Sequence, residues 1–302
     1  MDYVDGLVNK ICIALPYHKT KLEKSVSNLS VAFRDMLNEY ISCCISEGNS
    51  IEYIAGAYVF MLREFQKEQL FFFRNNYQYR FKRSTDFYDS VYNIPSYMKP
   101  YMIGMALSTF LWPQYQIMHS FFLDSIERIE CELLQNSTYL EVGSGHGFLV
   151  RSIINKKYFS QYTFVDISET GLSLTKRALE EYKGINAHFI CDDIFRLQGI
   201  TTDFLVANQI LPCLENPKKF IKQCYARLND SGYAYISTAF NAPAPDAILN
   251  FHKLDDLEFV ICDAGFVIET KCYIPHDGFS VLECESQMLP LNVAYLLKKE
   301  NS

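Results

Sequence analysis

The chain has 302 residues, is 49% apolar and carries a formal net charge of −7, enough length and apolar content for one large domain or two modest ones. The acidic balance makes a nucleic-acid partner unlikely on charge grounds, because gripping phosphates requires a basic excess that displaces counterions. Ten cysteines stand without a CxxC pair, so neither a zinc site nor a redox dithiol is signalled and no metal is expected.

The opening "MDYVDGLVNKICIALPYHK" carries acids early, and its apolar run is too short and too interrupted for a signal peptide. A reducing, cytoplasmic setting is the expectation. As far as about Leu134 apolar residues recur at helical spacing, which predicts an all-helical N-terminal domain over 1–135. Ser50 is placed as the N-cap of "IEYIAGAYVFMLREFQKEQLFFF", with Glu52 in the first turn where a negative charge suits the helix dipole.

The stretch Tyr101 to Leu123 has no charged residue and the length of a membrane span. Trp112, Pro113, Gln114, Gln116 and His119 interrupt it, so two buried helices broken at Pro113 are predicted and no membrane role. Beyond the break Met118, Phe122, Ile126, Ile129 and Leu133 form a core-facing stripe. Ahead of it, "FFFRNNYQYRFKRSTDFYDSVYNIPSYMKPYM" is rich in tyrosines and basic residues and less regular.

From Thr138 the rhythm changes to short apolar runs alternating with helical patterns, the signature of α/β units around a parallel sheet, giving a second domain over 136–302. Strands are predicted at Thr138 to Val142, "QYTFVDI", "AHFIC", "DFLVA", "YAYIST", "FVIETKCY" and "NVAYLL". Helices fit from Phe148 to about Lys156, Gly171 to Tyr182, Pro217 to Leu228 and Leu254 to Ala264. In such a sheet ligands bind outside the carboxyl ends of the strands, and "YLEVGSGHGFLV" puts Gly143, Gly145 and Gly147 there. Glycines permit the tight turn and the approach of a ligand to bare amides.

A dinucleotide fingerprint would need glycine where Phe148 stands. The pattern Glu141, Val142, Gly143, Ser144, Gly145, His146, Gly147 instead resembles the class I S-adenosylmethionine-dependent methyltransferases. Four later segments follow in the family's order: "FVDIS", "FICDDIF", "VANQILPCLENPKKF" and "ARLNDSGYAYIST", with "DAGFVIET" resembling the entry to the sixth strand. The resemblance spans roughly 138–299 and implies a Rossmann-like, seven-stranded, mostly parallel sheet with helices on both faces.

It further implies that S-adenosylmethionine is bound, with S-adenosylhomocysteine as product, by Glu141, Gly143, Ser144, Gly145 and Gly147. Asp166 would accept from the ribose hydroxyls, with Ile167 beside it. Asp193 and Ile194 would meet the adenine, with Asp192 the competing acid, and Asn208 and Gln209 would flank the methionine end. Many small-molecule members have a histidine where Cys213 stands, so a familiar candidate base is missing here.

In this family acceptor specificity comes from additions before the first strand and after strands four and five, so the helical half is expected to form a lid or wall. Its aromatic residues Tyr77, Tyr79, Tyr88, Tyr92, Tyr97, Tyr101, Trp112 and Tyr115 are the candidate lining. His119, with Tyr115 one turn earlier on the same helical face, is a candidate general base near neutral pH. His252 and Asp246, in the loop after strand five, are placed for acceptor contacts, and His276 is a weaker candidate.

The expected activity is methyl transfer to an oxygen or nitrogen of a small metabolite, of the kind found in specialised biosynthesis. The alternatives are a cofactor-binding protein without catalysis, a nucleic-acid methyltransferase, and the same pocket used for other chemistry. The basic aromatic run "FRNNYQYRFKR" raises the nucleic-acid reading, and the overall acidity and "ANQI" at the end of strand four weigh against it. The aromatic helices are also of the kind that forms a homodimer contact.

Overall fold

The computed structural model describes residues 2–130, 136–249 and 251–300. Up to Ile129 its regular elements are helical: α1 (Val4–Ala14), α2 (Lys19–Ser27), α3 (Val31–Ser46), α4 (Ile51–Arg74), a short α5 (Ser84–Phe87) that runs into a π-helical turn at Tyr88–Tyr92, α6 (Pro95–Leu111) and α7 (Pro113–Ile129). The predicted cap of α4 is present, Ser50 Oγ accepting from the Tyr53 amide at 3.1 Å. The uncharged stretch breaks as expected, with extended Trp112 separating α6 from α7. Proline suits the first turn of α7 because its missing N–H would have no helical partner there.

Helix α6 lies so close on α4 that a Cβ at Gly104 would stand 2.5 Å from Met61 Cβ. Among the described residues no helix is long and apolar enough to cross a membrane.

The sheet comprises β1 (Thr138–Val142), β2 (Gln161–Asp166), β3 (Ala187–Cys191), β4 (Thr202–Asn208), β5 (Leu228–Phe240), β6 (Phe266–Pro275) and β7 (Leu291–Lys299). The order is β3-β2-β1-β4-β5-β7-β6, with β7 antiparallel to both its neighbours. The helices are α8 (Phe148–Ile153), α9 (Glu169–Ala178), α10 (Pro217–Arg227), α11 (Leu254–Asp263) and α12 (Val281–Gln287). Helix α12 is absent from the sequence reading. Its signal was the capping box at Ser280 and Glu283, where each side chain accepts from the other residue's amide.

One face of the sheet packs with α10 and α11 in a cluster that includes Leu140, Phe220, Ile221, Leu257 and Ile261. The other face takes Phe122, Ile126 and Ile129 of α7 with Leu149 of α8, Leu172 of α9 and Tyr235 and Leu296 of the sheet. The fold is therefore a Rossmann-like seven-stranded sheet covered on both faces and preceded by a helical region. The two halves interlock: the core of the helical region includes Phe148 and Ile248 from the sheet half. Leu133 of the predicted stripe, and Gln135 at the end of the first expected domain, lie outside the described residues.

Candidate active site

Strand order reverses between β1 and β4, and the crevice opens at their carboxyl ends. The turn after β1 is shaped by backbone that favours glycine: φ is +71° at Gly143 and +53° at Gly145. A Cβ on Gly143 would stand 2.5 Å from Ile210 Cγ2, and one on Gly145 2.6 Å from Met102 Cε. The turn is thus a bare backbone cradle between β4 and α6.

Asp166, at the end of β2, ties the cradle down. Its Oδ2 accepts from the Gly145 amide at 3.0 Å and its Oδ1 from the Ser168 amide at 2.8 Å. Each carboxylate oxygen can accept a further bond, which leaves capacity for a pair of ligand hydroxyls. Burial pushes the Asp166 carboxyl up, and the two amides oppose that shift. Glu141 is 2% exposed and accepts from the Tyr139 hydroxyl at 2.8 Å. Burial raises it to about 8 against the pull of that hydroxyl, with the nearby Asp166 charge adding to the rise.

Around these groups lies one cavity of about 520 Å³, within the usual range of small-molecule sites. Of the residues predicted to bind a cofactor, Glu141, Gly143, Ser144, Gly145, Asp166, Ile167, Asp193, Ile194, Asn208 and Gln209 line it. Gly147 does not. It serves packing, since a Cβ there would stand 2.9 Å from the Thr175 Cα. Asp192 also lines the cavity, with its Oδ1 accepting from the Asp193 amide at 2.8 Å. Asn208 Oδ1 accepts from the Ser237 hydroxyl at 2.6 Å, and Gln209, with φ +60°, donates its amide to the Ser237 carbonyl at 3.0 Å.

Tyr115 and His119 also line the cavity. His119 is 2% exposed, and neither ring nitrogen has a hydrogen-bond partner among the described residues. It lies among Phe33, Phe122 and Phe148, and burial lowers it to about 3. Desolvation keeps this imidazole neutral, the form with a free lone pair, and makes it a weaker base than a solvated histidine. His146 is likewise neutral, lowered to about 4 by burial, with Nδ1 accepting from the Phe148 amide at 3.2 Å.

His252 is exposed on the loop before α11 and does not line the cavity. Its neighbour Phe251 packs inward on Phe240, and that anchoring leaves His252 at the surface, away from the predicted acceptor contacts. Of the candidate aromatic lining, Tyr92, Tyr101 and Tyr115 reach the cavity, while Trp112 stacks behind Tyr115 with centroids 5.4 Å apart. Asp246 also lines the cavity and accepts from the Tyr92 hydroxyl at 2.8 Å. Among the described residues no cluster of three or more histidine, cysteine or acidic side chains is placed to hold a metal.

Comparison with known proteins agrees with this geometry. The profile of a family described as a methyltransferase domain matches residues 140–234. No curated protein matches the sequence. Among solved structures, the chain is similar to the 4+2 cyclase SpnF, at 16% identity and a TM-score of 0.50 over 62% of this chain and 83% of that one. It is also similar to the N-methyltransferase NodS from Bradyrhizobium japonicum WM9 in complex with S-adenosyl-L-homocysteine, at 14% identity and TM-score 0.47 over 63% and 92%. Magnesium protoporphyrin IX methyltransferase from Synechocystis PCC 6803 with bound S-adenosylmethionine follows at 14% and 0.46 over 61% and 80%. The glycine turn and the acids at the ends of β2 and β3 stand within residues 140–234, the segment that matches a methyltransferase domain.

Proposed function

We propose that the protein transfers a methyl group from S-adenosylmethionine to an oxygen or nitrogen of a small metabolite. The observation that carries this reading is one cavity lined both by the glycine cradle and Asp166 and by Tyr92, Tyr101, Tyr115 and Asp246. A donor and an acceptor are thereby held together, and positioning of this kind supplies much of the acceleration in group transfer.

When bound, the cofactor supplies an electrophilic methyl on a sulfonium. Asp166 would accept from its ribose hydroxyls, the Gly143 to Gly145 backbone would lie against it, and Asp193 with Ile194 would border its adenine. Glu141, Ser144, Asn208 and Gln209 would hold its methionine end. Met98, Met102, Met105 and Phe148 give that region apolar walls that exclude water. Tyr115, raised to about 12 by burial with the Asp246 charge adding to it, stays protonated and orients the acceptor by donating a hydrogen bond. The helical region over 1–135 acts as the wall that selects the acceptor.

Calorimetry with S-adenosylhomocysteine and with NAD tests the cofactor assignment. The first should bind and the second should not. Incubation of the S-adenosylmethionine-loaded enzyme with a library of small acceptors should then yield products heavier by one methylene unit. Cofactor turnover without any such product would reject methyl transfer.

A further inference from the structure

The cavity lining includes a carboxylate, Asp246, that has no ion-pair partner among the described residues. Asp246 sits on the loop after β5, which is pinned to the turn after β4 by the Ile248 and Leu249 amides, both donating to the Pro212 carbonyl at 2.8 and 3.0 Å. Its Oδ2 accepts from the Tyr92 hydroxyl at 2.8 Å and its Oδ1 from the Tyr101 hydroxyl at 3.4 Å. Both phenols are held protonated by burial and by the carboxylate itself, so they act as donors. Among the described residues the one ammonium in the lining, Lys219, rests over the Phe195 ring at 4.6 Å instead.

The two phenols and the Cys213 thiol satisfy part of the carboxylate's capacity but leave its charge uncompensated, and burial, which pushes the carboxyl up, makes that charge costly. A second, independent feature points to a ligand in the same cavity. Both ring nitrogens of buried His119 lack a partner among the described residues, so the cavity has polar positions ready for a bound molecule.

We propose that Asp246 receives the methyl acceptor as a primary or secondary amine borne on an apolar, ring-containing body. This deepens, and rests on, the methyl-transfer reading. An ammonium supplies the missing charge, and a lining that includes the Tyr92, Tyr101 and Tyr115 side chains suits both a cation and a planar body. A carboxylate or phosphate acceptor would meet like charge, since the acids Asp166, Asp192, Asp193 and Glu215 line the cavity as well.

The proton balance favours an amine over a hydroxyl. An N–H proton of the ammonium passes to the Asp246 carboxylate, leaving a neutral amine and a neutral acid, so two buried charges disappear together. The same transfer from a hydroxyl would leave a new anion. The freed nitrogen lone pair then forms the N–CH₃ bond as the S–CH₃ bond breaks, and that bond's electron pair stays on sulfur.

The test is calorimetry on the protein saturated with S-adenosylhomocysteine, using phenethylamine, tryptamine, 2-phenylethanol, 3-phenylpropionate and phenethyltrimethylammonium as probes. At least one primary amine should bind, with the alcohol and the carboxylate each weaker by about tenfold or more. Asp246→Asn should remove that preference while S-adenosylhomocysteine affinity stays within about twofold. Should the variant not fold, the quaternary probe decides on the wild-type protein, since it keeps the charge but has no N–H for a carboxylate and must bind more weakly than phenethylamine. Equal binding of the alcohol, equal binding of the quaternary probe, or no binding of either amine would overturn the assignment. Absence of S-adenosylhomocysteine binding would instead defeat the underlying methyl-transfer reading.

Discussion

Asp166 holds two roles that a single substitution separates from the rest of the site. It accepts from the Gly145 and Ser168 amides and lines the cavity, so Asp166→Ala removes both a ligand acceptor and a tie on the turn. Calorimetry should show S-adenosylhomocysteine binding weaker by about 2 kcal/mol, or roughly thirtyfold. Unchanged affinity would reject the assignment. Glu141 makes a prediction about pH. Its carboxyl is raised from 4.5 to about 8 in the folded protein, so the folded state binds a proton that the unfolded chain releases. Its contribution to stability is full below the unfolded value and is lost as pH rises through the folded one. Glu141→Gln removes the ionisation, so between pH of about 5.5 and about 8.5 the urea midpoint should fall less in the variant than in the wild type. Parallel midpoints would show that Glu141 does not carry this pH dependence. The acids at the ends of β2 and β3 were legible in the sequence because a strand end fixes where its last side chain lies. Asp246 was visible only as a loop residue, because Tyr92 and Tyr101 stand 154 and 145 residues away and only the folded chain brings them to it.

At the scale of elements, α5 and the π-helical turn after it contribute Ser84, Phe87 and Tyr92 to the cavity lining, with Phe87 and Val91 buried in the helical core and exposed hydrogen bonds tying their outer side to the sheet half. The Ser84 amide and hydroxyl both donate to Glu215 Oε1 at 2.8 Å, and the Tyr88 hydroxyl donates to the Ile167 carbonyl at 3.4 Å. These contacts are exposed, and such hydrogen bonds contribute little to global stability. Their effect on ligand escape is larger, because Ser84, Ile167 and Glu215 all line the cavity. Glu215→Ala should therefore change stability by less than about 1 kcal/mol. In stopped-flow displacement it should speed S-adenosylhomocysteine release several-fold. An unaltered release rate would mean that this segment does not gate the ligand. The seven strands were legible because each is a short apolar run bounded by turn residues. Helix α12 was not, since Val281–Gln287 spans two turns with Cys284 as its buried residue, too short a stripe for periodicity to register.

For the whole molecule, the change of rhythm near residue 135 suggested two domains, yet packing crosses that line twice. Helix α7 turns Phe122, Ile126 and Ile129 onto the sheet, where they meet Tyr235 and Leu296, and all five are nearly fully buried. In the other direction Phe148 packs against Phe110, with centroids 4.5 Å apart, within the core of the helical region. Removing α7 would expose a broad apolar face of the sheet, at a cost of several kcal/mol if each buried aromatic or aliphatic side chain contributes about 1.5–3 kcal/mol. A fragment of residues 136–302 should accordingly lack a cooperative thermal transition and bind a hydrophobic dye such as ANS. A fragment of residues 113–302, which restores α7, should recover the transition while leaving Phe148 without Phe110 and Phe33. It should bind S-adenosylhomocysteine more weakly than the full chain, because α6, which supplies Met102 against Gly145, is missing. Circular dichroism melts of the two fragments decide the matter: cooperative unfolding of 136–302 would show that the sheet is self-sufficient and that α7 belongs with the helical wall. Recovery confined to 113–302 would assign α7 to the methyltransferase domain and move the working boundary to the break at Trp112 and Pro113, where the sequence had marked the end of one helix and the start of the next.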